Sequence, residues 1–363
     1  HNRVRRQRQM CIRDSIESDS NSANISLNFI IVDGTGRKFN YKKSKELFNK
    51  SKLEVKEVIE NTIFQLYTVY FEACRLIEEQ NIYKSNLEIS KTRLDRKKLE
   101  LEYGQSTSLE VLNAEVDFKN DSINYLNTIS NLSNVKRDLN LIMNVDSEKI
   151  YDLITDVDFL NFDELNDAYK DAQDNNTSLK IDERNIAISK NEMRATKSTY
   201  LPTIGLVGSY GWNESINDNP YAFFNKNIND GFSGGINLSW DIFNSGRKII
   251  AKKNAKISYE NSKIEKERRT NLFFNELNNL YQTHANNLYI FEVQAKNLDT
   301  NKLNFERNLE QYNLGQLSSI QFRDAQLKLQ RAELQKNSSK YNTKLSELAL
   351  MKISGQIITK SYK

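Results

Sequence analysis

The fold class predicted by the sequence is mainly α with a small β part, built from long antiparallel helical hairpins joined to short strands. Three observations support it. Turns and loops usually recruit glycine and proline, yet the 363 residues hold only 12 Gly and 2 Pro. Residues 25–144 and 236–355 read as two copies of one pattern. Each copy opens with apolar residues at period two and runs on into a long breaker-free stretch, the marks of a strand followed by a helix.

The duplication is visible residue by residue. ISLNFIIVDGTGRK aligns with INLSWDIFNSGRK, and YGQSTSLEVLNAE with LGQLSSIQFRDAQ. Gly104 matches Gly315, Gln105 matches Gln316, Ser108 matches Ser319 and Ala114 matches Ala325, with one extra residue near Thr35. So long a repeat is a copied hairpin unit; solenoid repeats run to roughly 20–50 residues.

In the first copy Ile25, Leu27, Phe29 and Ile31 alternate with other residues, and in the second Ile236, Leu238, Trp240 and Ile242 alternate with Asn237, Ser239 and Asp241. A half-buried strand of a soluble sheet has the same pattern. Breakers follow, Asp33-Gly34-Thr35-Gly36 or Asn244-Ser245-Gly246, and then helices are expected over 42–103 and 252–314. At about 1.5 Å per residue each is a rod of roughly 90 Å. Each stops at a glycine, Gly104 or Gly315, where a left-handed residue costs least. In the second return helix Ile320, Leu327, Leu334, Tyr341 and Leu348 keep a heptad spacing, which means supercoiled packing. Leu109, Val116 and Ile123 hold the matching places in the first, before Ser130 and Arg137 break the row.

Between the copies, 162–199 reads as a helix carrying Leu179, Ile186 and Met193 at heptad spacing, ending at Tyr200-Leu201-Pro202. A β-hairpin over 202–243 follows. Its first strand puts Ile204, Leu206, Gly208, Tyr210 and Trp212 on one face and Thr203, Gly205, Val207, Ser209 and Gly211 on the other. A polar, Asn-rich loop at 213–230 leads to the strand at 232–243. The expected organisation is a non-native leader at 1–15, a first structural repeat at 16–144, a linker at 145–161, a second repeat at 162–355 and a tail at 356–363. The leader reading rests on five arginines and no lysine in HNRVRRQRQMCIRDS, with no apolar segment after it to make a signal peptide. The native start, with any export signal, is expected upstream.

Charge and chemistry narrow the function classes. The 52 basic and 48 acidic residues are interleaved, so no basic block marks a nucleic-acid site. No apolar run is long enough for a spanning helix, so a membrane role would use strands. Both hairpin strands have the span of about nine to eleven residues that a tilted strand needs. Tyr200, Tyr210, Trp212, Phe232 and Phe243 sit toward the strand ends, as an interfacial belt would place them. Packing of a hairpin against helices also uses aromatics, but no small sheet covers helices of this length. Cys11 and Cys74 are too far apart for a disulfide framework or metal pair, and His1 and His284 are the only histidines, His284 reading as a surface or packing residue. No nucleophile, phosphate-loop or zinc motif is present, so no enzyme, cofactor or metal is expected.

In the order YLP at 200–202, INLSWDIFNSGRK at 236–248 and YNLGQ…DAQ at 312–326, the chain resembles the TolC family of outer membrane efflux and export proteins over roughly 25–355. The resemblance implies homotrimers in which each subunit gives four strands to one transmembrane β-barrel, continued by an α-barrel tunnel of helices in the periplasm. It also implies a periplasmic adaptor protein and an inner membrane pump as partners. The helix and strand expected before residue 25 are not in the sequence, and Ile16 to Asn24 would be the remnant of the first extracellular loop. A physical argument agrees in part: closed membrane barrels have at least about eight strands, so subunits share one, and the sequence permits two copies as well as three.

On this resemblance Ile204, Leu206, Tyr210, Ile236, Leu238 and Trp240 face lipid, and Asn237, Ser239 and Asp241 face the lumen. Gly104, Gln105, Tyr312, Gly315, Gln316 and Ser318 form the helix tips where an adaptor docks; a plain helix stop explains the glycines equally well. Glu110 and Asp324, with Gln321 where the family has another acid, line the channel constriction. Like charges crowded there attract cations and raise one another's pKa values; ordinary solvated helix residues are the bland alternative. The competing reading of the whole chain is a soluble or periplasmic coiled-coil scaffold. The cargo is not legible.

Overall fold

The computed structural model describes residues 18–217 and 225–358. The leader, Cys11 and the last five residues lie outside the described residues. Strand β1 (Ser18–Val32) leads into α1 (Gly36–Glu102) and α2 (Ser108–Ile142). An extended segment follows, then α3 (Phe162–Lys170), α4 (Ala172–Asn175) and α5 (Thr177–Thr196). After a short turn of 3-10 helix come β2 (Thr203–Asn217), β3 (Lys226–Ser239), α6 (Arg247–Asn313) and α7 (Ser319–Ile353).

The duplication is carried into the fold with equal lengths: α1 and α6 each have 67 residues, α2 and α7 each 35. Matched residues start and stop them. The Asp33 carboxylate accepts the Arg37 amide at the start of α1, and the Asn244 side chain accepts the Lys248 amide at the start of α6, at 3.2 Å. These caps satisfy first-turn amides and let each helix begin several residues before the sequence-based expectation. At the far ends Gly104 (φ 71°) and Gly315 (φ 73°) adopt the left-handed conformation. The following amides reach back, Gln105 to the Glu100 carbonyl at 2.7 Å and Gln316 to Gln311 at 2.9 Å, which is the Schellman pattern. Return helices α2 and α7 are capped by Thr107 and by Ser318, the latter in a reciprocal capping box with Gln321.

The helix expected over 162–199 is broken. Asn176 accepts the Leu179 amide at 2.9 Å and donates to the Ile353 carbonyl at 2.8 Å, so it ends α4 and caps α5 while tying both to α7. The strands are longer than expected. Residues 213–217 and 226–230 belong to β2 and β3, not to a loop, because cross-strand pairing continues through the polar residues to Ile216 opposite Lys226. Residues 18–24 are likewise β1 strand, paired with 211–217, where a loop remnant was expected. β3 stops at Ser239, which leaves Trp240, Asp241, Ile242 and Phe243 outside the strand.

The contacts gather into two compact units, one from His1–Leu47 with Ile186–Ser262 and one from Phe48–Asn185 with Lys263–Lys363. This division cuts across the sequence repeats, because each long helix enters both. The first unit holds an antiparallel sheet in the order β1-β2-β3. In the second, Leu165, Ala168, Ala172 and Leu179 pack on Phe273, Leu277, Leu350 and Met351, while Phe71, Cys74, Tyr341 and Leu348 form a neighbouring core. The segment 145–161 is no slack linker. Tyr341 and Lys340 donate to the Thr155 carbonyl, Lys344 to the Asp158 carbonyl, and the Leu160 amide donates to Glu347. No helix among the described residues is long and apolar enough to cross a membrane.

Candidate functional site

The sheet sorts its side chains by chemistry. Register places Ile204 opposite Leu238, Leu206 opposite Ile236 and Tyr210 opposite Phe232, and on the other side Tyr210 opposite Ile25 and Leu206 opposite Phe29. Directly paired residues point the same way, so these form one apolar face. A bulge between Ile30 and Val32 changes one expected member: Val32 pairs with Ile204, and Ile31 is the extra residue. Trp240 also leaves this group, since beyond the strand its indole donates to the Tyr200 carbonyl at 3.2 Å. On the opposite face Asn237 lies across from Gly205, and the Ser209 and Ser233 hydroxyls meet at 2.8 Å. Asp241, past the strand, pairs with Lys248 at 3.4 Å. The apolar face is uncovered, Ile25 being 77% and Ile236 75% exposed, where the sheet of a soluble domain buries one face.

At the helix turns Gly104, Gln105, Gly315, Gln316 and Ser318 are all exposed. Tyr312 is not. Its ring stacks on Phe322 at 4.5 Å and lies under the Arg96 guanidinium at 4.7 Å, so within the subunit it is a packed, buried residue. Large apolar residues stand at the tips in matched pairs, Tyr103 with Leu314 and Leu109 with Ile320, all exposed. Periodicity assigned Leu109 and Ile320 to the helix seams, and the rest of the first seam, Val116 and Ile123, is exposed as well.

The three residues assigned to a constriction occupy different environments. Glu110 accepts from the Ser106 hydroxyl at 2.7 Å and from Lys97 at 3.1 Å. Within the subunit the Ser106 hydrogen bond, then the Lys97 ammonium, holds its carboxyl below the ordinary range. Asp324 is exposed and pairs with Lys328 at 2.7 Å. Gln321 accepts from the Ser318 amide at 3.1 Å as part of the capping box, a local structural task that accounts for an amide at this place.

Beside these residues lies a buried polar cluster that periodicity did not single out. Arg323 of α7 grips Asp121 of α2 with two hydrogen bonds, 2.7 and 2.9 Å. Asp121 also accepts from Ser90 of α1, and Asp117 bonds Arg93 and lies 3.7 Å from Arg323. Gln326 donates to Asn86 at 3.2 Å. The clamp ties α1, α2 and α7 together close to the tips. A signal was present: in the duplication Arg323 falls where the first copy has Leu112, and Asp121 falls where the second has Ala332. A charge appearing in each copy at the other's apolar position marks a pair.

Among the described residues no group of His, Cys, Asp and Glu could hold a metal ion. Long helical hairpins, capped tips and a sheet with an uncovered apolar face define a membrane channel subunit that uses strands in the bilayer and helices beyond it. The family model for outer membrane efflux proteins matches residues 168–356, and the chain belongs to that family of TolC-like channels. It is an outer membrane channel subunit extending into the periplasm, and not an enzyme. Among solved structures it is similar to the Campylobacter jejuni outer membrane channel CmeC, with a TM-score of 0.77 and 15% identity over 94% of this chain and 78% of that one. It is also similar to VceC of Vibrio cholerae (TM-score 0.77, 10% identity, 94% and 87% covered) and MtrE of Neisseria gonorrhoeae (0.73, 14%, 94% and 81%). A search of curated protein sequences finds no match.

Proposed function

We propose that the chain is one subunit of a homotrimeric, passive export conduit whose strands share one outer membrane barrel and whose helix tips receive a periplasmic adaptor. An inner membrane pump supplies the energy, in a tripartite efflux or type I secretion-like assembly. The observation that carries this reading is the sheet: one uncovered apolar face, one polar face, and two outer strands, β1 and β3, each paired on one side only among the described residues. Lipid offers no hydrogen bonds to such edges, so neighbouring subunits must supply the missing partners. Ile204, Leu206, Tyr210, Ile236 and Leu238 then meet acyl chains, and Asn237 and Ser239 the lumen. The exposed row Leu109, Val116 and Ile123 is suited to a neighbouring helix.

At the tips Gln105, Gln316 and Ser318, framed by Tyr103, Leu109, Leu314 and Ile320, offer a mixed surface for the adaptor. Glu110 and Asp324 line the mouth, where three subunits bring carboxylates around one axis. The test is reconstitution. Purified chain should crosslink to trimers, fractionate with the outer membrane and conduct ions in a planar bilayer. Recovery as a soluble species without conductance refutes the proposal.

A further inference from the structure

Charge is interleaved along the chain as a whole, but not where the helices meet the sheet. Residues 33–46, 190–200 and 241–256, all in the first unit, hold thirteen bases and four acids, against 52 and 48 in the whole chain. Helix period gathers the bases. Lys38, Lys42 and Lys45 share one face of α1, and Lys252, Lys253 and Lys256 one face of α6. Lys190, Arg194 and Lys197 share a face at the end of α5, and all nine side chains are exposed. The faces opposite are uncharged on the long helices, with Asn40 and Ser44 on α1 and Ala251, Asn254 and Ser258 on α6. Nearby acids are taken by other bases, Glu192 by Lys43 at 3.3 Å and Asp241 by Lys248 at 3.4 Å, and none of the nine forms an ion pair among the described residues.

The basic faces lie on one side of the helix layer. α5 sits between the long helices, since its Glu192 pairs with Lys43 of α1 and its Ser189 meets Ser262 of α6 at 2.7 Å. α1 and α6 run away from the sheet and α5 runs toward it. With these contacts fixing the rotation of each right-handed helix, all three basic faces turn the same way. That way is toward the apolar side of the sheet. A Cβ on Gly208 would lie 3.9 Å from the Ser233 carbonyl and one on Gly234 3.9 Å from that of Val207, so Val207 and Ser209 bond to β3 while Gly208 turns its own amide and carbonyl to β1. For L-residues this places β1 to the right of β2 when the apolar face is viewed with β2 rising. The same order of α1, α5 and α6 beneath then turns their basic faces to the viewer.

Aromatic rings stand among the bases, as at a membrane surface. Lys252 lies over the Tyr200 ring at 5.7 Å, Lys42 and Arg194 lie over Phe39 at 5.9 and 5.7 Å, and Tyr41 is 71% exposed. Lys45 and Lys256 each come nine residues after the start of their helix, about 14 Å along it, and the other bases of α1 and α6 come sooner. A headgroup layer of roughly 5–8 Å, a snorkelling lysine and a Debye length of about 8 Å together span that depth. We infer that the three faces form a cationic collar that binds the anionic headgroups of phospholipids in the leaflet from which the helices emerge. The collar rests on the lipid-facing assignment of the sheet, whose surface it continues.

The test is lipid analysis of the full chain reconstituted in vesicles of equal phosphatidylcholine and phosphatidylglycerol, then extracted in mild detergent, with the retained lipids counted by mass spectrometry. At low salt phosphatidylglycerol should be retained at least about fivefold over phosphatidylcholine, the gain of roughly one base near an anionic surface, and raised salt should erode the preference. Lys38→Gln with Lys42→Gln and Lys45→Gln, or Lys252→Gln with Lys253→Gln and Lys256→Gln, should each lower that ratio about twofold or more, and the two sets together should bring it near unity. Lys91→Gln with Lys98→Gln and Lys302→Gln, exposed bases of the second unit, should leave it unchanged. Inserted protein without a preference, a preference that survives both sets, or one lowered equally by the control set overturns the collar. A change in ion selectivity with lipid retention intact puts the bases in the lumen and overturns it too. A chain that does not insert and retains neither lipid overturns the channel reading itself, and the collar with it.

Discussion

Substituting Asp121 by Ala should be the most damaging single change near the tips. The carboxylate is buried at 2% exposure and makes both short bonds to Arg323, whose side chain is itself 11% exposed. Removing one partner of a buried pair costs about 3–5 kcal/mol because the other charge is stranded. The lower end applies, since Asp117 at 3.7 Å, Gln326 at 3.1 Å and Ser90 at 3.3 Å still face the guanidinium. With an unfolding entropy of about 2.1 cal/mol/K per residue, a cost of about 3 kcal/mol lowers the melting temperature of a 363-residue chain by roughly 4 °C. The comparison is Asp324→Ala, whose partner Lys328 is exposed and whose pair is worth about 0–1 kcal/mol. Circular dichroism melts of the detergent-solubilised protein read both. Replacing the pair together, Asp121→Leu with Arg323→Met, should recover most of the loss. If Asp121→Ala melts with Asp324→Ala, the clamp contributes nothing to stability and the reasoning fails.

On the sheet, Leu206→Arg or Ile236→Arg should cost about 2–4 kcal/mol near the bilayer midplane and Asn237→Arg far less, read as the yield of folded trimer in outer membranes; equal tolerance refutes the facing assignment. At the mouth, Asp324→Asn with Glu110→Gln should lower cation selectivity in planar bilayers, most at low salt where screening is weak. Unchanged selectivity in the double substitution returns both to ordinary surface charge. His284, buried and bonded through Nδ1 to Ser346 at 3.0 Å, has its pKa lowered by burial, against a weaker opposing pull from Glu347. The unfolded chain therefore takes up the proton first as pH falls below about 6.5, and stability declines from there until the depressed folded pKa is passed. His284→Gln should flatten that decline in melting temperature, and an unaltered pH profile shows that another group is responsible.

The sequence by itself determined what is local. Breaker scarcity and the duplicated pattern set two long helices and two return helices, and the glycines at the tips and the period-two alternation around Leu206 and Ile236 set the turns and strand faces. These follow from backbone conformation and side-chain period, which neighbours in the chain decide. Where a strand ends, by contrast, depends on its partner. Polar residues such as Asn213 and Asn229 gave no apolar alternation, yet they pair across the sheet because the ladder uses backbone groups. The bulge that swaps Val32 for Ile31 is likewise a property of two strands together. Tyr312 read as a tip residue from its motif, but only tertiary packing against Phe322 and Arg96 shows that it is covered. The Arg323–Asp121 clamp belongs to the same class: burial and pairing between residues far apart in the chain follow from how α1, α2 and α7 come together, and no single stretch of sequence encodes that meeting.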